Sequence, residues 1–176
     1  MRKILFIVLA FLAVGSFAFA DPGEFKPGSE PDGFRGIKWE TELSTLSGMK
    51  YLRTDPTSGG IRQYTKKNDD LMIGGAKIES IEYGFWQGKF CSVFIRTKGP
   101  TNFTNLREAT FEKFGEGFQD NKYIKNYGWF PKITKMVLGY DDASERGYLL
   151  MLSLEIWNQQ TAWDGERAKE GAKKGF

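Results

Sequence analysis

The chain offers few groups for chemistry. It contains no histidine and a single cysteine, Cys91. The first absence removes the Ser-His-Asp triad, the Cys-His pair, HExxH zinc sites and every imidazole acid or base step. The second removes internal disulfides, CxxC redox pairs and thiolate zinc sites. A nucleophilic Cys91 would need a cation such as Lys89 beside its thiolate, and a small buried hydrophobe is the commoner use of a free cysteine. Carboxylates remain. A glycosidase-type site needs two acids about 5–10 Å apart, one of them in apolar surroundings. Glu82 is the best single carboxylate, because strand alternation puts Ser80, Gly84 and Trp86 on its side. No second acid is set beside it by spacing. Asp69 and Asp70 fall in a polar turn and are expected to be solvated.

Other chemistries fail on spacing. Gly88-Lys89-Phe90 lacks the upstream glycine and the following Ser or Thr of a phosphate loop. Gly115-Glu116-Gly117 lacks the third glycine and a preceding strand. The acidic stretch 141–147 puts Ala143, Arg146 and Leu152 where a calcium loop needs an oxygen ligand, a glycine and a glutamate. It reads as a solvated hairpin tip. No cofactor and no metal is expected. Aromatics are the remaining resource, with 15 Phe, 7 Tyr and 5 Trp. Exposed aromatics on a flat sheet stack sugars or grip peptides. Trp86 at a hairpin tip, and Trp129 with Phe130 ahead of Pro131, therefore join Glu82 as candidate binding residues. Filling the core is the competing use of these rings.

The elements that position these residues are mostly strands. Residues 77–86 and 89–97 are β-rich runs separated by Gln87-Gly88, the pattern of a two-residue hairpin. A regular ladder pairs Phe85 with Phe90, Tyr83 with Ser92, Ile81 with Phe94 and Glu79 with Arg96. Both hairpin faces are partly apolar, so the second face, which holds Glu82, Trp86 and Cys91, is either covered or used for binding. Asn105 with Glu108 resembles a capping box, and Leu106, Thr110, Phe111 and Phe114 keep helical spacing up to Gly115. Residues 133–141 and 148–157 predict a second hairpin. Shorter strands are expected at 34–39, 49–53, 61–65, 71–73 and 127–130. The reading is an α+β fold: an antiparallel β-meander with one principal covering helix and a C-terminal helix, in two layers.

Residues 1–20 carry the three parts of an export signal: Arg2 and Lys3, an apolar run over 4–14, and Ala18-Phe19-Ala20 before Asp21. The run is shorter than the ~20 residues a spanning helix needs, so cleavage is expected. The domain plan is a signal at 1–20, a flexible N-terminal arm at 21–33, a single α+β domain at 34–157 and an exposed C-terminal helix at 158–176. Without the signal, acidic and basic side chains nearly balance, which does not point to nucleic acid. No later stretch is long and apolar enough to span a membrane.

Residues 34–41, Phe-Arg-Gly-Ile-Lys-Trp-Glu-Thr, resemble the F-x-G-I-x-W-G-T opening of small exported bacterial proteins of unknown function, with Glu40 in place of the usual glycine. Stretches 90–93, 106–115 and 132–140 are similar in style. The resemblance implies an envelope location and an antiparallel α+β domain, and it carries over no catalytic residue. The expectation is a periplasmic or secreted, non-catalytic binding or interaction module whose partner is an envelope protein, a peptide or a glycan. The alternative is a carboxylate-dependent hydrolase acting on cell-wall or sugar material.

Overall fold

A computed structural model describes residues 23–56 and 59–175. The export signal expected at 1–20 lies outside the described residues. A short hairpin, β1 (Gly33–Phe34) and β2 (Ile37–Lys38), precedes the main sheet. The sheet contains β3 (Met49–Asp55), β4 (Ile61–Lys66), β5 (Met72–Ile73), β6 (Ala76–Trp86), β7 (Lys89–Lys98), β8 (Asn126–Trp129), β9 (Thr134–Asp141) and β10 (Arg146–Ser153). Helix α1 (Pro100–Phe114) follows β7, and α2 (Leu154–Gly175) follows β10. The eight strands are antiparallel in the order β3-β4-β6-β7-β10-β9-β8, with β5 pairing β6 off that path. This is the expected α+β fold with a C-terminal helix. Among the described residues no helix is long and apolar enough to cross a membrane.

The β6–β7 hairpin closes through Gln87 and Gly88, whose φ angles of 48° and 85° give the turn twist that suits a two-residue loop. Its register corrects the regular ladder. Phe85 does face Phe90, but Tyr83 faces Val93, Ile81 faces Ile95 and Ser80 faces Arg96. The register slips between Gly84 and Phe85 and again between Ile78 and Ser80. Each slip reverses the facing of the residues beyond it. The physical gain is clear in the core, which collects Ile78, Ile81, Tyr83, Phe85, Phe90, Val93 and Ile95 together. A regular ladder would have left Phe94 and Arg96 among them and put Val93 and Ile95 outside.

Helix α1 covers this core face through Phe103, Leu106 and Phe114. Burying each such side chain stabilises the fold by roughly 1.5–3 kcal/mol. The helix starts five residues before the capping-box position, because Pro100 stands at its first turn with φ already set. Asn105 instead donates to the Gly75 carbonyl and ties the helix to the loop before β6.

On the opposite face, Ile61, Trp86 and Cys91 form a smaller cluster with Ile156 of α2. That helix begins at Leu154, inside the stretch expected to be strand. The Ser153 hydroxyl accepts from the Ile156 N–H at 3.3 Å and caps it. The N-terminal arm is also less free than expected. Glu30 Oε1 accepts the N–H groups of Lys132, Ile133 and Thr134 at 2.7, 2.6 and 3.0 Å. The backbone of Gly23 and Lys26 donates to the Glu116 and Phe114 carbonyls, at 2.8 Å each.

Candidate functional site

The slipped register decides what the second sheet face presents. Strand pairing lines up Glu82, Phe94, Leu150 and Val137 in one row across β6, β7, β10 and β9. The adjacent row is Ser80, Arg96, Tyr148 and Gly139. Phe94, Arg96, Tyr148 and Leu150 are half-buried, lying beyond the Trp86 end where Ile156 and Trp163 of α2 pack.

Glu82 is the centre of this face. Its side chain is only 6% exposed, and a buried carboxylate in a strand needs compensating partners. Arg53 of β3 meets Oε2 at 2.5 Å, and Arg96 of β7 meets Oε1. With both oxygens engaged, Glu82 holds two guanidinium groups in fixed positions. The arginines themselves reach solvent, at 47% exposure for Arg53 and 29% for Arg96. Each guanidinium carries five donors, so both keep N–H groups for a further anion.

Aromatic rings flank the pair. Arg96 lies over the Phe94 ring, 4.3 Å from its centroid, a cation–π contact. Phe94 stacks on Tyr148 with centroids 5.7 Å apart and ring planes 25° apart. Gly139 makes room for this stack, since a Cβ there would lie 2.5 Å from the Tyr148 ring. The site is thus two oriented guanidiniums beside a flat apolar shelf of Phe94, Tyr148 and Leu150. Such a surface can grip a carboxylate or another planar anion and pack an apolar portion beside it.

The four residues marked from sequence are not brought together. Glu82 sits in the arginine pair. Trp86 is buried beneath α2, packs edge-on against Trp163 and donates to the Gly59 carbonyl at 3.2 Å. Trp129 is in the core on the α1 side and donates to the Gly115 carbonyl at 3.1 Å. Phe130 is exposed and packs against Phe118. Asp69 is not solvated as expected. It bonds Arg35 at 2.5 Å and accepts from the Tyr83 hydroxyl at 2.8 Å, approaching β6 from the face opposite Glu82. Burial, then the Asp69 carboxylate, push the Tyr83 phenol well above its ordinary pKa.

Cys91 occupies the bulge opposite Gly84 and Phe85, 4% exposed, and its thiol donates to the Gly84 carbonyl at 3.3 Å. Burial pushes the thiol up to about 12, which keeps it protonated and unreactive. Among the described residues no group of three or more His, Cys, Asp or Glu side chains could hold a metal ion. Arg53, Phe94, Arg96 and Tyr148 were not marked from sequence. The signal that could have found them is a change of parity in β7, where Phe90, Val93 and Ile95 must all face the core. No family model, curated protein or solved structure matches this chain.

Proposed function

We propose that this chain is a non-catalytic binding module of the cell envelope that holds an anionic partner, a peptide or a glycan, on the open half of its sheet. The observation that carries the reading is the buried Glu82 fixing Arg53 and Arg96 at the edge of the Phe94–Tyr148 shelf. A charge buried in this way is costly unless paired, and here the pairing leaves two oriented guanidiniums facing solvent. The signal-like pattern expected over residues 1–20 supports an envelope location. The hydrolase alternative has less support, because both Glu82 oxygens are occupied and Asp69 is turned to the other face.

The test is fluorescence anisotropy with labelled hexaglutamate, a labelled acidic oligosaccharide and hexalysine as control. One acidic probe should bind and hexalysine should not. Arg53→Ala and Arg96→Ala should each weaken binding about tenfold, the loss of one charge-assisted contact worth roughly 1.4 kcal/mol. Equal binding of all three probes, or unchanged binding by both variants, would overturn the reading. Turnover of a sugar substrate that is lost in Glu82→Gln would establish the hydrolase instead.

A further inference from the structure

The other face of the sheet carries a second feature. A cavity of about 420 Å³ lies between the β1–β2 hairpin, α1 and the sheet. Its floor is Ile95, Leu149 and Met151, and Phe34 and Ile37 of the hairpin lie along its wall. The volume is within the range of small-molecule sites, about 300–1,000 Å³. The polar groups at its mouth are not equivalent. The Arg35 charge is compensated by Asp69 at 2.5 Å, and its guanidinium also donates to the Asp70 carbonyl at 2.6 Å and the Met72 carbonyl at 3.3 Å. Lys38 pairs with Asp32 at 3.1 Å. Lys113 makes no ion pair among the described residues, and its ammonium lies 5.2 Å from the Phe114 ring centroid at the last turn of α1. An apolar floor, sheltered from water, is thus joined to one uncompensated cation.

We propose that this cavity binds a small monocarboxylate with an apolar tail, a medium-chain fatty acid, with the tail on Ile95, Leu149 and Met151 and the carboxylate paired to Lys113. The hairpin forms one wall and is held by the Arg35–Asp69 bond, so the site is preformed. The site is separate from the arginine pair on the opposite face, and neither proposal depends on the other.

The test uses the full chain with methyl-labelled methionine, titrated with decanoate, decanol and decylamine below their aggregation thresholds. Decanoate should shift the Met151 methyl resonance, while that of Met49, on the edge strand β3 and away from the cavity, stays in place. Decylamine should bind at least tenfold more weakly than decanoate. Lys113→Glu, at an exposed position, should weaken decanoate at least tenfold and leave decanol unchanged. If decanol matches decanoate and Lys113→Glu changes nothing, the carboxylate assignment is overturned. If no probe moves Met151, the cavity assignment is overturned. Neither result bears on Arg53 or Arg96, whose variants are tested with acidic probes.

Discussion

Cys91 reports whether the second sheet face is closed at the Trp86 end. Two effects protect it: Ile156 of α2 covers it, and burial raises its pKa to about 12. The second effect can be sized. At pH 8 an ordinary cysteine with pKa near 8.5 is about one-quarter thiolate. With the pKa at about 12, the thiolate fraction falls to about 10⁻⁴. Ionisation alone therefore slows thiol labelling on the order of 10³-fold, since only the thiolate reacts. Steric cover adds to that. The assay is reaction with an aromatic disulfide reagent at pH 8, in buffer and in denaturant. Native labelling should be at least 10³-fold slower than in the unfolded control. Ile156→Ala should accelerate it at least tenfold, with global stability measured in parallel to separate local opening from unfolding. Native labelling within tenfold of the unfolded rate would mean that the thiol is neither buried nor neutral.

Three further outcomes follow from the same contacts. Stability should be complete below about pH 7.5, where Cys91 is protonated in both states, and should fall as pH rises from there toward 12, because the unfolded chain then releases a proton that the folded chain keeps; the loss is about 2 kcal/mol at pH 10, and Cys91→Ala should remove it from a denaturant-melt series. Glu82→Gln should destabilise by about 2 kcal/mol, less than a fully buried pair because both arginines can turn to solvent, and lower Tm by about 4–8 °C in a thermal melt. Glu30→Ala should cost about 1 kcal/mol and remove hydrogen-exchange protection from the amides of Lys132, Ile133 and Thr134.

Much of the fold is written in short-range pattern. Gln87-Gly88 between two β-rich runs marks the central hairpin, and apolar alternation marks β10 up to Ser153. Two features are not written that way. Alternation runs on through Leu154 and Ile156, so nothing in the period separates strand from helix; the Ser153 cap does. The bulges at Glu79 and Cys91 depend on which residues the α1 face must bury, a tertiary demand that a hairpin cannot express alone. The candidate site suffers most from this. Glu82 stands out as a carboxylate on a mixed face, but its partner Arg96 is assigned to Glu79 until the register slips. Arg53 comes from a distant strand, and its reach to Glu82 requires β3, β4 and β6 to be side by side. Trp129 shows the converse: its ring is prominent in sequence and belongs to the core.

The proposed binding surface is the Arg53–Glu82–Arg96 group with the Phe94–Tyr148 shelf. Backbone amide NMR during titration with the tighter acidic probe tests it most directly. Shifts should concentrate at Arg53, at 80–84 and 92–96, and at Tyr148 and Leu150, and Arg96→Ala should suppress them together. Shifts concentrated on α2 or the N-terminal arm, with Arg53, Arg96 and Tyr148 unmoved, would contradict it.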